Sequence, residues 1–291
     1  MRNKASLTLD PRTPERIPPS PPDGRGRLVY RQSVWTRLTH WAWAVALFFL
    51  LLSGLQIFMA RPDLYIGRQS GFDFDNAILS ISAEVEDGAL VGVTDVFGWR
   101  FETTGYLGVV DEGGVPAPKT FPGWMTIPSG RDLATGRVVH LFFAWVLLAT
   151  LAVWLVASLA NRHIRRDLAL SRDELRRIPR EVTSHARLSF RREPRYNPLQ
   201  KLTYLAILFL VLPLMVLTGL TMSPGVNAWA PWMLDLFGGR QTARTLHFLL
   251  MLALLAFFVV HMFMVVFAGS VNEMRSMITG WFRADTEIPH D

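Results

Sequence analysis

The sequence contains no cysteine in its 291 residues. Iron–sulfur clusters, cysteine-type zinc sites and disulfides all require cysteine, so these groups are excluded. Covalent attachment of c-type haem through a C-x-x-C-H motif is excluded for the same reason. Any haem would therefore be held non-covalently, with histidine as the leading axial ligand and methionine as the other ordinary choice.

The first 30 residues lack the apolar core that a signal peptide needs, and they are rich in proline and arginine. We expect residues 1–30 to form a disordered cytoplasmic tail. The first apolar segment then stays uncleaved and serves as a membrane anchor.

Long apolar stretches are abundant, since half of the residues are hydrophobic. A stretch of about 20 apolar residues crosses the hydrocarbon core of a bilayer, which is about 30 Å thick. The predicted spans are Trp41–Met59, Val138–Ala160, Leu202–Met222 and Leu246–Gly269. These spans predict an all-α membrane protein. Its four-transmembrane-helix bundle occupies residues 31–281, and residues 282–291 form a second cytoplasmic tail.

Charge is unevenly distributed over the segments between the spans. Asn161 to Lys201 holds twelve Lys/Arg and five Asp/Glu, whereas Arg61 to Ser129 holds four and ten. The N-terminal tail to Arg37 holds eight basic and three acidic residues. Basic flanks remain in the cytoplasm, so we expect both termini and the 161–200 loop inside, and the 61–130 loop outside. The basic 161–200 loop lies between two membrane spans, so we expect its Lys/Arg side chains to contact anionic lipid of the bilayer. We expect no nucleic-acid partner.

The 61–130 loop is too long to be a simple connector. Asp75–Ile81 is compatible with a short helix, and "ALVGVTDVFGWRFETTGYLGVV" alternates like a pair of strands with glycine turns. A loop of this length is often functional, so it could form a docking surface for a partner. A small self-packed hairpin explains the pattern equally well.

Four histidines lie within the apolar segments, and ionisable side chains in a membrane are functional candidates. Two of them, His247 and His261, are fourteen residues apart on one apolar run. At about 100° and 1.5 Å per residue, they share a helix face within roughly 40° and lie roughly 21 Å apart. One helix can therefore offer metal ligands at two depths, as a protein that stacks two haems requires.

Helices one and three share a sequence pattern, and so do helices two and four. "RLTHW…LLLSGLQIF" resembles "KLTYL…LMVLTGLTM", so that His40 aligns with Tyr204, and Ser53–Gly54 with Thr218–Gly219 after a one-residue slip. The chain therefore reads as two degenerate copies of one helix pair.

In helices two and four, "GRVVHLFF" resembles "ARTLHFLL". This match aligns His140 with His247 and puts Trp154 at the place of His261. Helix direction then places His40 and His261 near the cytoplasmic face and the other two histidines near the outer face. We predict two bis-histidine sites, His40 with His261 and His140 with His247. A single buried histidine is usually a packing residue, but four at matched depths favour ligation.

Other residues of the predicted sites have ordinary explanations as well. Gly54 and Gly219 suit close approach to a flat porphyrin, but small residues also serve helix packing. Arg37, Arg137 and Arg244 each precede a ligand histidine by three residues, where they could pair with haem propionates or extend to lipid headgroups. The remaining histidines, which we interpret as solvated bystanders, are His163, His185 and His290.

The motifs "RLTHW", "RVVH" and "YNPLQK" and the His247/His261 spacing resemble the four-helix dihaem cytochrome b subunits of bacterial nickel hydrogenases, formate dehydrogenases and thiosulfate reductases. The resemblance covers about Val29 to Trp281 and is greatest to the thiosulfate-reductase type. It implies a multi-pass protein of the bacterial inner (plasma) membrane with two non-covalent haem b cofactors. It also implies electron transfer between an extracytoplasmic oxidoreductase and quinone.

The resemblance further implies a quinone site formed by Asn197, Gln200 and His261. Leu199 stands at the position where glycine occurs in members of the family. The alternative is that Asn197 caps helix three before Pro198.

A molybdopterin enzyme is the favoured partner on resemblance, with a hydrogenase or formate dehydrogenase as alternatives. Two other readings of the function stay open: a stand-alone cytochrome b that acts directly on a small reductant, and a haem-free anchor.

Overall fold

The computed structural model describes residues 28–71, 74, 76–161, 164, 168–186 (184–186 as backbone only), 197–267 and 269–283. Its four long apolar helices have the length and composition of membrane spans. They are α1 (Val34–Phe58), α2 (Leu133–Ala160), the third span (Pro198–Met222) and α8 (Arg240–Phe267). The predicted spans lie within these helices with two small exceptions. The last two residues of the fourth predicted span follow the end of α8, and Met59 of the first span is the C-cap of α1. All four helices begin between four and seven residues earlier than the apolar runs.

Polar caps explain the earlier starts of α1 and α2. The Ser33 side chain accepts a hydrogen bond from the Thr36 backbone N–H at 3.1 Å, and Asp132 does the same for Thr135 at 3.0 Å. Such caps satisfy backbone donors that the first helical turn leaves free. A hydropathy pattern cannot include these residues because they lie in the polar interface.

The third span is divided by a π-helical segment. It consists of α4 (Pro198–Ala206), the π segment Ile207–Val211 and α5 (Leu212–Met222). Pro213 follows this segment and has no backbone N–H, so the local change in hydrogen bonding accommodates it without ending the span.

Shorter helices lie outside the spans. They are α3 (Arg172–Ala186), α6 (Pro224–Trp229), α7 (Trp232–Leu236) and α9 (Ser270–Thr279). The third connection, between α5 and α8, is therefore a pair of short helices.

The segment between α1 and α2 is a β subdomain, residues 61–130. Its strands are β2 (Asp63–Tyr65), β3 (Ala77–Glu86), β4 (Ala89–Val96), β5 (Trp99–Glu102), β6 (Val109–Asp111) and β7 (Pro116–Pro118). Strands β2 to β5 form one antiparallel sheet in chain order, and β6 pairs with β7.

This subdomain corrects two predictions. The described chain is mostly helical rather than all-α, and the short helix suggested for Asp75–Ile81 is wrong because β3 begins at Ala77 and includes Ile81. The run AILSISAEVE alternates in the two-residue period of a strand, and Ile81 is buried against the bundle. The predicted strand pair is confirmed by β4 and β5, which pair from Val96↔Trp99 to Val93↔Glu102.

Two apolar clusters hold the molecule together. One joins the ends of α1 and α8 to the β subdomain through Leu55, Phe58, Leu64, Ile81 and Phe121. The other lies in the middle of the bundle around Ala46, Leu147 and Leu212. The β subdomain is therefore packed onto the bundle as part of one core.

The described chain ends meet at the opposite end of the bundle. Strand β1 (Leu28–Tyr30) pairs antiparallel with β8 (Trp281–Arg283). The side chain of Phe282 is 2% exposed, and the Arg31 guanidinium lies 4.5 Å over its ring. This short sheet joins the start of α1 to the segment that follows α9.

Candidate cofactor site

His140 of α2 and His247 of α8 face each other near the β subdomain. Their ring centroids are 6.4 Å apart with an interplanar angle of 61°. Phe248, the neighbour of His247, packs on Phe58 at the foot of the β subdomain with centroids 4.7 Å apart. We call His140 and His247 the second pair.

His40 of α1 and His261 of α8 face each other toward the opposite end of the bundle. Their ring centroids are 6.3 Å apart at 56°. Phe257 stacks on His261 at 5.6 Å, and Trp41 meets His40 edge-on at 5.5 Å. We call His40 and His261 the first pair.

An apolar layer lies between the two pairs. Leu254 is seven residues from each histidine of α8 and packs against the cluster of Ala46, Leu147 and Leu212. The exposed fractions of those three residues are 0%, 3% and 2%. The two pairs are thus separate sites at two levels.

The ring separations fit a metal ion held between two imidazoles. Metal–imidazole bonds are about 2 Å long and a ring centre lies about 1 Å beyond its nitrogen, so two rings on opposite sides of one ion have centres about 6 Å apart. Across the described residues, no group of three or more His, Cys, Asp or Glu is placed to hold a metal ion. Two protein ligands suit haem iron, because the porphyrin supplies its other four ligands.

The second pair has a hydroxyl beside each ring. Ser53 Oγ lies 3.1 Å from Nδ1 of His140, and Thr218 Oγ1 lies 3.0 Å from Nδ1 of His247. Ser53 and Thr218 are both 0% exposed. Hydrogen bonding at Nδ1 leaves Nε2 as the nitrogen available to a metal ion.

A glycine follows each of these hydroxyl residues and makes room for the ring. A Cβ atom on Gly54 would lie 3.3 Å from Cε1 of His140, and a Cβ atom on Gly219 would lie 3.3 Å from Cε1 of His247. A side chain at either position would push the ring away. The predicted small-residue positions therefore border the histidines themselves.

The three predicted arginines have different surroundings. Arg244 donates to the backbone carbonyls of Arg61 and, at 2.8 Å, Asp63, and Arg37 donates to the carbonyl of Ile278. Arg137 is exposed on α2. Arg37 and Arg244 thus already have protein partners, and propionate pairing stays a prediction for all three.

Asn197 and Gln200 form a capping box at the start of α4. The Asn197 side chain accepts from the Leu199 N–H at 2.7 Å, and Gln200 accepts from the Asn197 N–H at 3.3 Å. The amide of Asn197 donates to Glu181 of α3 at 2.6 Å. The capping alternative is confirmed, while the quinone role of Asn197, Gln200 and His261 stays a prediction.

Sequence reasoning assigned no role to Ser53 and Thr218. The signal was present, because a hydroxyl residue followed by glycine recurs at the same place in both copies of the repeat. Trp154, at the place of a missing ligand, packs against Trp43 and Phe209 with centroids 5.9 and 6.2 Å away. His163, His290 and Tyr196 of "YNPLQK" lie outside the described residues, and only the backbone of His185 is described.

Two comparisons with known proteins bear on this site. Residues 173–280, from α3 to α9, match the family described as prokaryotic cytochrome b561. Over 236 residues the chain is 29% identical to a protein of Azospira oryzae whose name describes it as a protein-methionine-sulfoxide reductase subunit, YedZ1. That alignment covers 79% of this chain and 87% of the relative. No solved structure matches the chain.

Proposed function

We propose that this chain, a membrane protein of the cytochrome b family, holds two non-covalent haem b groups. We further propose that it passes electrons between an extracytoplasmic oxidoreductase and the membrane quinone pool. The observation that carries the proposal is the meeting of four histidines as two pairs, with ring centroids 6.3 and 6.4 Å apart. The family match independently supports haem b as the cofactor.

The proposed role of each residue follows from its position in the helix bundle. His140 and His247 would hold one haem and His40 and His261 the other, through their ring nitrogens. Haem b, when bound, supplies a one-electron carrier. The apolar layer around Leu254 would exclude water between the sites. The helices and their caps would keep the ligand rings oriented.

The β subdomain is the proposed docking region for the partner. It packs on the ends of α1 and α8, so a protein bound there would lie next to the second pair. The relative from Azospira oryzae is named as a subunit of a reductase, which supports a role as an oxidoreductase subunit here. A molybdopterin enzyme is the partner that the family resemblance favours.

The proposed orientation places both termini in the cytoplasm of a bacterium, with the protein in its inner membrane. The pairing of β1 with β8 supports this because it puts both described chain ends at one end of the bundle. The excess of Lys/Arg between α2 and the third span supports the cytoplasm as that side. The first pair would then lie on the cytoplasmic side.

Quinone exchange near the first pair can be separated from helix capping by one substitution. Serine is about as good an N-cap as asparagine, so Asn197→Ser keeps the cap and removes the amide. If the amide binds quinone, quinone-dependent oxidation of the reduced protein slows several-fold. Asn197→Ser also loses the hydrogen bond from the amide to Glu181, so the free energy of unfolding is expected to fall by no more than that one bond contributes, about 1.5–3 kcal/mol. Unchanged rates would remove Asn197 from the proposed site.

The central experiment counts haem and identifies what accompanies the protein. Purification in mild detergent followed by a pyridine haemochrome assay is expected to give two haem b per chain. A soluble oxidoreductase is expected to co-purify. A colourless preparation would overturn the proposal, and turnover of a small reductant by the isolated chain would favour the stand-alone enzyme instead.

A further inference from the structure

We propose that the Ser53 and Thr218 hydroxyls are positioning residues. Together with the backbone carbonyls of Leu50 and Met215, they set the tautomer and the donor strength of His140 and His247. They would lower the reduction potential of the haem in the second pair relative to that in the first. The proposal rests on the haem-binding function above, and it adds a chemical difference between the two sites.

The argument begins with where each hydroxyl proton goes. Ser53 Oγ lies 2.6 Å from the carbonyl oxygen of Phe49, and Thr218 Oγ1 lies 2.8 Å from that of Leu214. A carbonyl oxygen can only accept, so the single proton of each hydroxyl is donated there. The hydroxyl oxygen then keeps lone pairs, and it can only accept from Nδ1 of the histidine.

Nδ1 is therefore the protonated nitrogen of both rings, and Nε2 carries the free lone pair. A neutral imidazole has one donor nitrogen and one acceptor nitrogen, so fixing the first fixes the second. Donation from Nδ1–H to an oxygen also makes Nε2 a stronger electron donor to a bound metal ion. A stronger donor favours ferric over ferrous iron, which lowers the reduction potential.

The two halves of the repeat build this contact separately. Ser53 on α1 serves His140 on α2, and Thr218 on α5 serves His247 on α8, with distances of 3.1 and 3.0 Å. Every one of these atoms lies in a different helix of the bundle. Two independent occurrences of the same hydroxyl-to-ring contact argue against an accident of packing.

The first pair lacks this arrangement. The buried Nδ1 of His40 has no hydrogen-bond partner within the described ranges, and no hydroxyl bonds to His261 there either. The helical repeat puts Tyr204 and Trp154 at the equivalents of the first-pair positions, so that pair has no second copy. Only the second pair therefore receives donor strength from two hydroxyls.

The test uses variants that remove a hydroxyl and little else. Thr218→Val keeps the side-chain shape, Ser53→Ala removes one oxygen, and Thr218→Ser keeps the hydroxyl. The matched control is Thr221→Val, because Thr221 is also 0% exposed on α5 and donates to the Leu217 carbonyl at 2.8 Å. Potentiometric titration followed by haem absorbance, with electron paramagnetic resonance of the ferric state, reports on each haem separately.

In the double variant Ser53→Ala, Thr218→Val, one of the two midpoint potentials is expected to rise. A tenfold change in the ratio of ferric to ferrous stabilisation corresponds to about 59 mV for a one-electron couple. The affected haem is expected to be the one lost in His247→Ala. The midpoint potential of the other haem is expected to stay unchanged. Thr218→Ser and Thr221→Val are expected to resemble the wild type.

A second result would also support a positioning role: Thr218→Val loses the second-pair haem, while Thr218→Ser and Thr221→Val keep both haems. The proposal is overturned if both potentials stay unchanged in the haem-loaded double variant. It is overturned as well if Thr221→Val moves the same potential, or if the haem is lost in Thr218→Ser. Failure of the proposed function looks different, because the wild-type protein would then bind no haem.

Discussion

The two histidine pairs share α8 and nearly the same ring separation, but their surroundings differ. The second pair is bordered by two hydroxyls and two glycines and lies beneath the β subdomain. The first pair is bordered by aromatic rings and lies near the strand pair formed by the chain ends. Equal spacing suits the same cofactor at both sites, and the unequal surroundings suit different potentials and different neighbours.

Removing one histidine of each pair is the most direct test of whether the two pairs bind separate haems. His247→Ala is expected to abolish the second-pair haem and leave the first, and His40→Ala is expected to do the reverse. Haem content should fall from two to one per chain in each variant, measured by pyridine haemochrome and the Soret band. If His247→Ala kept both Soret contributions, the assignment of ligands would be wrong.

Glycine substitutions should affect the second pair alone. In Gly219→Ala the new Cβ would lie 3.3 Å from the His247 ring, so the ring must move by a few tenths of an ångström. We expect reduced second-pair haem occupancy in Gly219→Ala and a larger reduction in Gly219→Val. Gly130→Ala is the control, because a Cβ there meets nothing within 4 Å. Equal loss of both haems would contradict the comparison.

Removing Arg244 should loosen the contact between the second pair and the β subdomain. Arg244→Ala loses hydrogen bonds to the carbonyls of Arg61 and Asp63. Hydrogen bonds to charged groups contribute about 1.5–3 kcal/mol each, so we expect the loss of these two bonds to lower the free energy of unfolding by roughly 3–6 kcal/mol. Thermal unfolding and limited proteolysis of residues 61–130 would measure it.

Arg137→Ala is the control for that experiment, since an exposed side chain usually contributes within about 0.5 kcal/mol. Loss of haem from Arg137→Ala without loss of stability would instead support its pairing with haem propionates. Equal stability of Arg244→Ala and the wild type would show that the contacts of Arg244 contribute little.

The smallest expected effect is a pH response at α3, on the side of the first pair. Lys201 donates to Glu174 at 2.7 Å, and this hydrogen bond lowers the pKa of Glu174 below its ordinary value of 4.5. A lowered folded-state pKa means that the stabilisation is complete above pH 4.5 and is lost as the pH falls through the lowered value. The pair is partly exposed, so the effect on stability is small.

A dye attached at Thr183→Cys would report the movement of α3, because the chain has no other cysteine. The dye signal should change at acidic pH in the otherwise wild-type chain. The same change in a Glu174→Gln background would assign it to another group.

The sequence was sufficient for the spans and the histidine pairing because both follow from helix geometry. Hydropathy located the spans, and the fourteen-residue interval placed His247 and His261 on one face. Helix starts were missed because their caps, Ser33 and Asp132, are polar. The β subdomain was only partly foreseen, since the Ala77–Glu86 strand draws its stability from pairing with β4 and packing on the bundle.

Asn197 shows a different limit of sequence reasoning. A capping asparagine and a ligand-binding asparagine look the same in a motif, and only the partners of its side chain separate them. The hydroxyls beside His140 and His247 were missed for a similar reason. Their role depends on a contact between two helices, and no single segment reveals it.

Helix α8 contributes one histidine to each pair, and this has a consequence for biogenesis. Neither histidine pair is complete until α8, the last of the four long apolar helices, has joined the others. During synthesis the chain must therefore reach its final quarter before either proposed haem could be bound by both of its histidines. A chain that ends before Arg240 would lack both His247 and His261, so each pair would have only one of its histidines. A complete chain could bind both proposed haems.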